Sequence, residues 1–114
     1  MADDSAPAAE KAWDSAFARR LIGKTALIGI TVLDRNNNAV SRSQYHGKIA
    51  SADSREGISM TLAGSKAGET LRLPPDLSPF TRAAPGVYNL RGSTDKVTNP
   101  DYTALWEFQQ PEKK

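Results

Sequence analysis

The stretch TALIGITVL, residues 25–33, decides the fold class that the sequence predicts. It is rich in β-branched side chains and is almost free of polar ones, which is typical of a well-buried strand. Shorter segments with alternating apolar residues follow it, and turn residues separate them. The predicted strands after the first are 40–50, 58–63, 69–73, 87–91 and 103–108.

Short strands at regular spacing predict a mainly β fold, either a small five- to six-stranded antiparallel barrel or a strongly bent sheet. Closure into a barrel is favoured because it removes exposed strand edges. Gly29 and Gly47 lie in the middle of predicted strands, where a bend or a close backbone approach is expected.

One α-helix is predicted ahead of the first strand, at residues 10–22. Trp13, Phe17 and Leu21 recur at i, i+4 and i+8, so they form one apolar face. We expect this face to pack across the open end of the barrel, and binding of a partner is the alternative. The length of 114 residues predicts one domain, residues 10–108, between a disordered tail at 1–9 and a frayed tail at 109–114.

The composition excludes several kinds of site. The chain has no cysteine, so disulfides, thiol catalysis and cysteine-bound metals are excluded. The first residues, MADDSAPAAEKAW, lack the apolar run of a secretory signal. The longest apolar run, ALIGITVL, is far shorter than the ~20 residues that cross a bilayer. We therefore expect a cytoplasmic protein without a membrane partner.

Charge is nearly balanced, with 15 basic and 13 acidic residues, so this is not a polybasic protein. Bases nevertheless predominate between residues 19 and 48, where Asp34 is the single acid. This pattern indicates either a basic stripe or a solvated strand surface. The candidate binding residues are polar side chains on or beside predicted strands: Arg42, Gln44, His46, Lys48, Arg72 and Arg91.

No motif in the sequence specifies a metal or a cofactor. The segment DRNNNA, residues 34–39, begins like a calcium loop, but Ala39 replaces the required glycine and Tyr45 the closing glutamate. A hairpin turn is the better interpretation. His46 is the single histidine; it is expected to be solvated, although it could act as a general base beside Asp53 or Ser51. We predict no metal, no cofactor and no catalytic residue.

The proline-rich segment LRLPPDLSPFTRAAPGVY, residues 71–88, is predicted to be an ordered plug. Pro74 cannot donate to a ladder, so the strand before it must end there or lie at an edge. Leu77 and Phe80 are three residues apart, so a single helical turn would point both the same way. We expect them to cover one end of the barrel. The alternative is a proline-rich ligand for a recognition domain.

The run GKTALIGITVLD…YHGKIASADSREGISMTL resembles the first signature of Sm-like proteins, with Gly47, Ile49 and Asp53 at its fixed positions. LRGS, residues 90–93, resembles the arginine-glycine step of the second signature. The resemblance implies an Sm-like or Src-homology-3-like barrel and binding of single-stranded RNA. Gly57 stands where the family places a base-contacting asparagine, and PPDLSPFTRAAPG separates strands that the family joins tightly.

A second pattern, LPPDL…PGxYxLRxS…NPDYxxxW, is similar to a group of small uncharacterised bacterial proteins, and this similarity implies no activity. The first functional hypothesis is a non-catalytic binding module whose ligand is another protein, for example an immunity or accessory protein that blocks a bacterial enzyme. The second is an RNA-binding protein, and the third is an enzyme that uses His46 with Asp53. The oligomeric state stays open.

Overall fold

The computed structural model describes residues 13–91 and 93–110. One helix, α1, precedes eight strands, and a single turn of 3-10 helix spans Gly64–Lys66. The elements are α1 Ser15–Leu21, β1 Thr25–Leu33, β2 Ala39–Asp53, β3 Gly57–Leu62, β4 Thr70–Leu73, β5 Thr81–Arg82, β6 Val87–Asn89, β7 Lys96–Thr98 and β8 Tyr102–Gln109.

Six strands form one mixed sheet in the order β4-β3-β2-β1-β8-β5, and β6 pairs with β7 in a separate hairpin. The mainly β class is confirmed. The closed antiparallel barrel is wrong for the described residues, because β4 and β5 are the two open edges of the sheet. The purely antiparallel arrangement is also wrong, because β8 runs parallel to β1, with Ala26 beside Tyr102.

The parallel pairing is fixed where the two strands begin. The carboxylate of Asp101 accepts hydrogen bonds from the backbone N–H of Thr25 at 3.0 Å and from its hydroxyl at 3.1 Å. The N–H of Asp101 donates in return to the carbonyl oxygen of Thr25 at 3.0 Å. Alternating apolar residues in β8 look the same in either strand direction, so the sequence pattern did not indicate this pairing.

The core lies on one face of the sheet. β1 contributes Ala26 and Ile28, and α1 contributes Leu21, which is fully buried. Phe17 of α1 meets the Tyr102 ring edge to face, with the ring centroids 5.7 Å apart. Alternation along β1 sends Ala26 and Ile28 to this face, whereas Leu27 between them is buried on the other face.

The proline-rich segment contributes to the same core. Leu77 and Phe80 are both buried, and the Phe80 ring lies edge to face against Trp106, with centroids 5.4 Å apart. Asp76 accepts hydrogen bonds from the backbone N–H and the hydroxyl of Ser78, and these bonds stabilise the turn that contains Leu77. The predicted plug is therefore ordered and apolar on its inner side, but it packs on an open sheet.

The described helix begins at Ser15, and Asp14 caps it by accepting a hydrogen bond from the N–H of Phe17 at 3.0 Å. Residues 10–12 of the predicted helix, the predicted tail at 1–9 and residues 111–114 lie outside the described residues. Within residues 13–91 and 93–110, no helix is long and apolar enough to cross a bilayer.

We predict that the two mid-strand glycines of the sheet differ in their tolerance of alanine. A Cβ at Gly47 would overlap the carbonyl oxygen of Thr61 and approach the Cα of Leu62, both fixed backbone atoms. Gly47→Ala should therefore lower the free energy of unfolding by about 1–3 kcal/mol. A Cβ at Gly29 would meet only the exposed side chain of Leu105, at 3.1 Å, so Gly29→Ala should change stability by less than about 1 kcal/mol.

Urea denaturation of the two variants and the unchanged protein, followed by tryptophan fluorescence, measures this difference. Gly29→Ala is the matched control, because it makes the same substitution in the neighbouring strand. Equal destabilisation by the two variants would contradict the prediction that close backbone contact keeps glycine at position 47.

Candidate functional site

A cleft of about 850 Å³ lies between the first half of β2 and the segment that joins β6 to β7. The walls of this β2 cleft include Arg42, Gln44, Tyr45, His46, Lys66 and Arg91. Three of these side chains are cationic and belong to exposed residues, Arg42, Lys66 and Arg91. Four of the six predicted binding residues therefore meet in one place: Arg42, Gln44, His46 and Arg91.

His46 lies on the face of β2 opposite the buried Ile49, as strand alternation predicts. The expectation that it is solvated is wrong, because its side chain is only 11% exposed. Its Nε2 lies 3.4 Å from Oδ2 of Asp95 and has no hydrogen-bond partner among the described residues. The β6–β7 segment covers this face of the sheet, which a strand pattern by itself does not reveal.

Asp95 connects three parts of the chain. Besides its approach to His46, its Oδ2 accepts hydrogen bonds from the backbone N–H and the hydroxyl of Ser65, each at 2.9 Å. Gly64 makes this close arrangement feasible, because a Cβ there would overlap Oδ2 of Asp95 and lie 2.6 Å from Nε2 of His46. The backbone of Gly64 also has φ +70°, a conformation that glycine adopts without strain.

A second contact attaches the β6–β7 segment to β2. The backbone N–H of Arg91 donates a hydrogen bond to the side-chain oxygen of Gln44. Gln44 and His46 are two residues apart on one strand face, so the segment contacts β2 at two successive positions of that face.

Hydrogen bonding governs the charge of Asp95. The backbone N–H of Ser65 holds the pKa of Asp95 below its ordinary value of 3.8, and the Ser65 hydroxyl and His46 act in the same direction. Partial burial opposes this shift. Asp95 therefore stays ionised at neutral pH, and its negative charge is already engaged by donors within the chain.

The His46, Asp95 and Ser65 side chains do not form a nucleophile and base pair. A serine nucleophile needs a hydrogen bond from its hydroxyl to the base that will accept the proton. Here the Ser65 hydroxyl donates to Asp95 instead, and the carboxylate stands between serine and imidazole. The arrangement can fasten loops and present polar groups to a ligand, but it does not activate a hydroxyl.

The alternative in which His46 acts as a general base beside Asp53 or Ser51 gains no support from the structure, where His46 lies against Asp95. Asp53 ends β2, and its carboxylate accepts hydrogen bonds from the N–H groups of Arg55 and Glu56 in the following turn. Ser51 lies beyond a bulge in the same strand and pairs with β3.

The remaining predicted binding residues lie outside the β2 cleft. Lys48 borders a neighbouring groove of mainly apolar character that also contacts Ile22 and Pro100. Arg72 lies on β4 opposite Ser59, at the far edge of the sheet. The structure therefore does not unite all six residues in one site.

Sequence reasoning missed three members of the site, Ser65, Lys66 and Asp95. Gly64 and Gly68 lie between β3 and β4, and glycines at these positions are typical of a turn but do not indicate that the turn faces a histidine. Lys66 lies over the ring of Tyr45, with Nζ 5.8 Å from the ring centroid. No local pattern indicated that Asp95 belongs to the site, because it is remote in sequence from both His46 and Ser65.

The described residues contain no group of three or more acidic or histidine side chains placed to hold a metal ion. Comparisons with known proteins give no match: no family model fits the chain, and no curated protein and no solved structure is significantly similar to it.

We predict that acid releases the Asp95 contact. The folded-state pKa of Asp95 is below 3.8, so its charge stabilises the folded arrangement fully above pH 3.8, and this contribution is lost as the pH falls through the lower folded value. The amide resonance of Ser65, followed by NMR, should titrate with a midpoint below 3.8.

Asp95→Asn should abolish this titration and speed hydrogen exchange at the Ser65 amide by about tenfold, since a charge-assisted hydrogen bond is lost. Asp53→Asn, which alters a carboxylate in another turn, is the control and should leave the Ser65 titration unchanged. A Ser65 midpoint at or above 3.8 would contradict the assignment.

Proposed function

We propose that this protein is a non-catalytic binding module that recognises another protein through the β2 cleft. The convergence of Arg42, Gln44, His46 and Arg91 on one cleft is the observation that supports this most directly. Two of these residues also contact the opposite wall of the cleft: Gln44 accepts a hydrogen bond from Arg91, and His46 lies 3.4 Å from Asp95. A preorganised wall lowers the ordering cost of binding.

The charge of the cleft favours an acidic surface on the partner. Arg42, Lys66 and Arg91 outnumber the one carboxylate, Asp95, which is held by Ser65 and His46. Charge complementarity of this kind speeds association and excludes basic competitors. An immunity or accessory protein that blocks a bacterial enzyme is one role that such a cleft would suit.

Single-stranded RNA is the second candidate ligand. Strand alternation predicts that Tyr45 and the cationic side chains lie on different faces, yet Tyr45 also lines the β2 cleft. Aromatic and cationic groups together are what RNA sites use. This candidate is weaker, because Lys66 lies over the Tyr45 ring and the ring packs against the core.

The residues behind the Sm-like resemblance have other roles in this fold. Gly47 permits close contact with Thr61, Ile49 is buried in the core and Asp53 caps a turn. Packing and turn formation therefore explain all three without RNA.

We predict that reversing two charges of the cleft weakens the binding of the partner protein. The tagged protein is purified from its native host at low salt, in parallel with an Arg42→Glu/Arg91→Glu variant. A protein retained by the unchanged chain should be bound at least about tenfold more weakly by the variant, because both cations face the partner. Circular dichroism checks that the variant is folded.

Arg72→Glu is the matched control, since it reverses a charge on β4 outside the cleft and should retain the partner. Nuclease treatment and the 260/280 nm absorbance ratio identify RNA. Recovery of nucleic acid in a six- or seven-fold ring would favour the RNA hypothesis. Recovery of no partner, or equal recovery with all variants, would contradict the proposed function.

A further inference from the structure

The first half of β2 is paired on one side only. β1 pairs with β2 from Ala39 to Lys48, whereas β3 pairs with β2 only from Gly47 to Asp53. β2 therefore extends beyond the end of β3, and within the described residues no strand lies against the outer side of residues 39–45.

The direction of the free backbone groups follows from one hydrogen bond. The carbonyl oxygen of His46 accepts from the N–H of Ala63 at 2.8 Å, so the backbone polar groups of His46 face the β3 side. Because these groups alternate along a strand, the N–H and C=O groups of Gln44 and Arg42 face the same side. Backbone hydrogen bonds from other described residues do not reach them.

The chain turns away where β3 would otherwise continue. Leu62 directs its N–H to Glu69 at 2.9 Å, on the β4 side, and the 3-10 turn Gly64–Lys66 follows. The β2 cleft therefore runs beside an unpaired edge instead of a closed ladder. Such an edge is a template for an added strand from another chain.

The charge beside this edge favours an acidic segment over a second copy of the protein as its occupant. Two copies of the protein pairing β2 with β2 about a two-fold axis would bring their Arg42 side chains close together, and like charges across strands are destabilising. An extended segment with carboxylates would instead meet Arg42, Lys66 and Arg91, which all line the cleft.

We propose that the edge of β2 at Arg42 and Gln44 binds an extended acidic segment of the partner protein as an added antiparallel strand. This rests on the proposed function and specifies how the β2 cleft recognises its partner. Residues directly opposite each other in a ladder share a sheet face, so carboxylate side chains of the added strand lie beside Arg42 and Gln44. Their own backbone N–H and C=O groups bond to β2.

A synthetic peptide of seven residues, alternating glutamate and valine and blocked at both ends, is the probe. Two further versions carry N-methyl groups, on the glutamate nitrogens in one and on the valine nitrogens in the other. Methylation at glutamate should weaken binding at least about tenfold, because those N–H groups face β2, whereas methylation at valine should weaken it less than about threefold. Isothermal titration calorimetry measures the three affinities.

Hydrogen exchange followed by NMR provides the second readout. The unmethylated peptide should slow exchange at the Arg42 and Gln44 amides and leave the Ser43 amide, which faces β1, unchanged. A peptide with lysine in place of glutamate is the charge control and should bind at least about tenfold more weakly. Arg42→Glu should reverse the preference between the acidic and basic peptides.

Absence of peptide binding, equal loss for the two methylated versions, or protection of these amides by a short single-stranded RNA instead would overturn the inference. The proposed function would survive separately if a partner recovered through the β2 cleft left the Arg42 and Gln44 amides unprotected. A doubled mass in native mass spectrometry without peptide, together with protected Arg42 and Gln44 amides, would overturn the inference by placing a second copy on the edge.

Discussion

The reciprocal hydrogen bonding of Thr25 and Asp101 is the constraint on which the rest of the structure depends. The carboxylate of Asp101 accepts from the N–H and hydroxyl of Thr25, and its own N–H returns a bond to the Thr25 carbonyl. This pair brings the first residues of β1 and β8 together, so the strands run in the same direction. The Thr25 N–H also holds the pKa of Asp101 below its ordinary value, so the carboxylate stays charged and remains an acceptor at neutral pH.

The β2 cleft is a consequence of that parallel pairing. A parallel neighbour needs a long crossover, and the chain must return to the starting end of β1 before β8 begins. Gly86 and Asn99 close the base of this return: the Gly86 N–H donates to the Asn99 side chain, and the Asn99 N–H donates to the Gly86 carbonyl, both at 2.7 Å. The hairpin of β6 and β7 lies between them. It therefore covers the sheet face that carries Gln44 and His46, and it supplies Arg91 and Asp95.

Sequence patterns predicted the features of the fold that depend on residues close together in the chain. The β-branched composition of β1 and the alternation of apolar residues in β3 and β8 identified these strands, and the spacing of Leu77 and Phe80 identified the buried side of the plug. The direction of β8 depends on a contact between residues 25 and 101, and no local pattern records such a contact. The site follows the same rule: Arg42, Gln44 and His46 were found as one strand face, whereas Asp95 and Ser65 join it only through the fold.

The charge of Arg42 has two consequences for the open edge of β2: it opposes pairing with a second copy, and it favours a strand of opposite charge. An unpaired edge can cause aggregation because a flat strand of another chain can add to it, and charged residues on the edge commonly prevent this. Arg42 opposes pairing between identical edges, since each copy would bring the same charge. The same charge attracts a strand of opposite sign, and the backbone groups of Arg42 and Gln44 are oriented to receive it. On the proposed mode of recognition, the residue that would repel a second copy at this edge is the same residue that an acidic partner would meet.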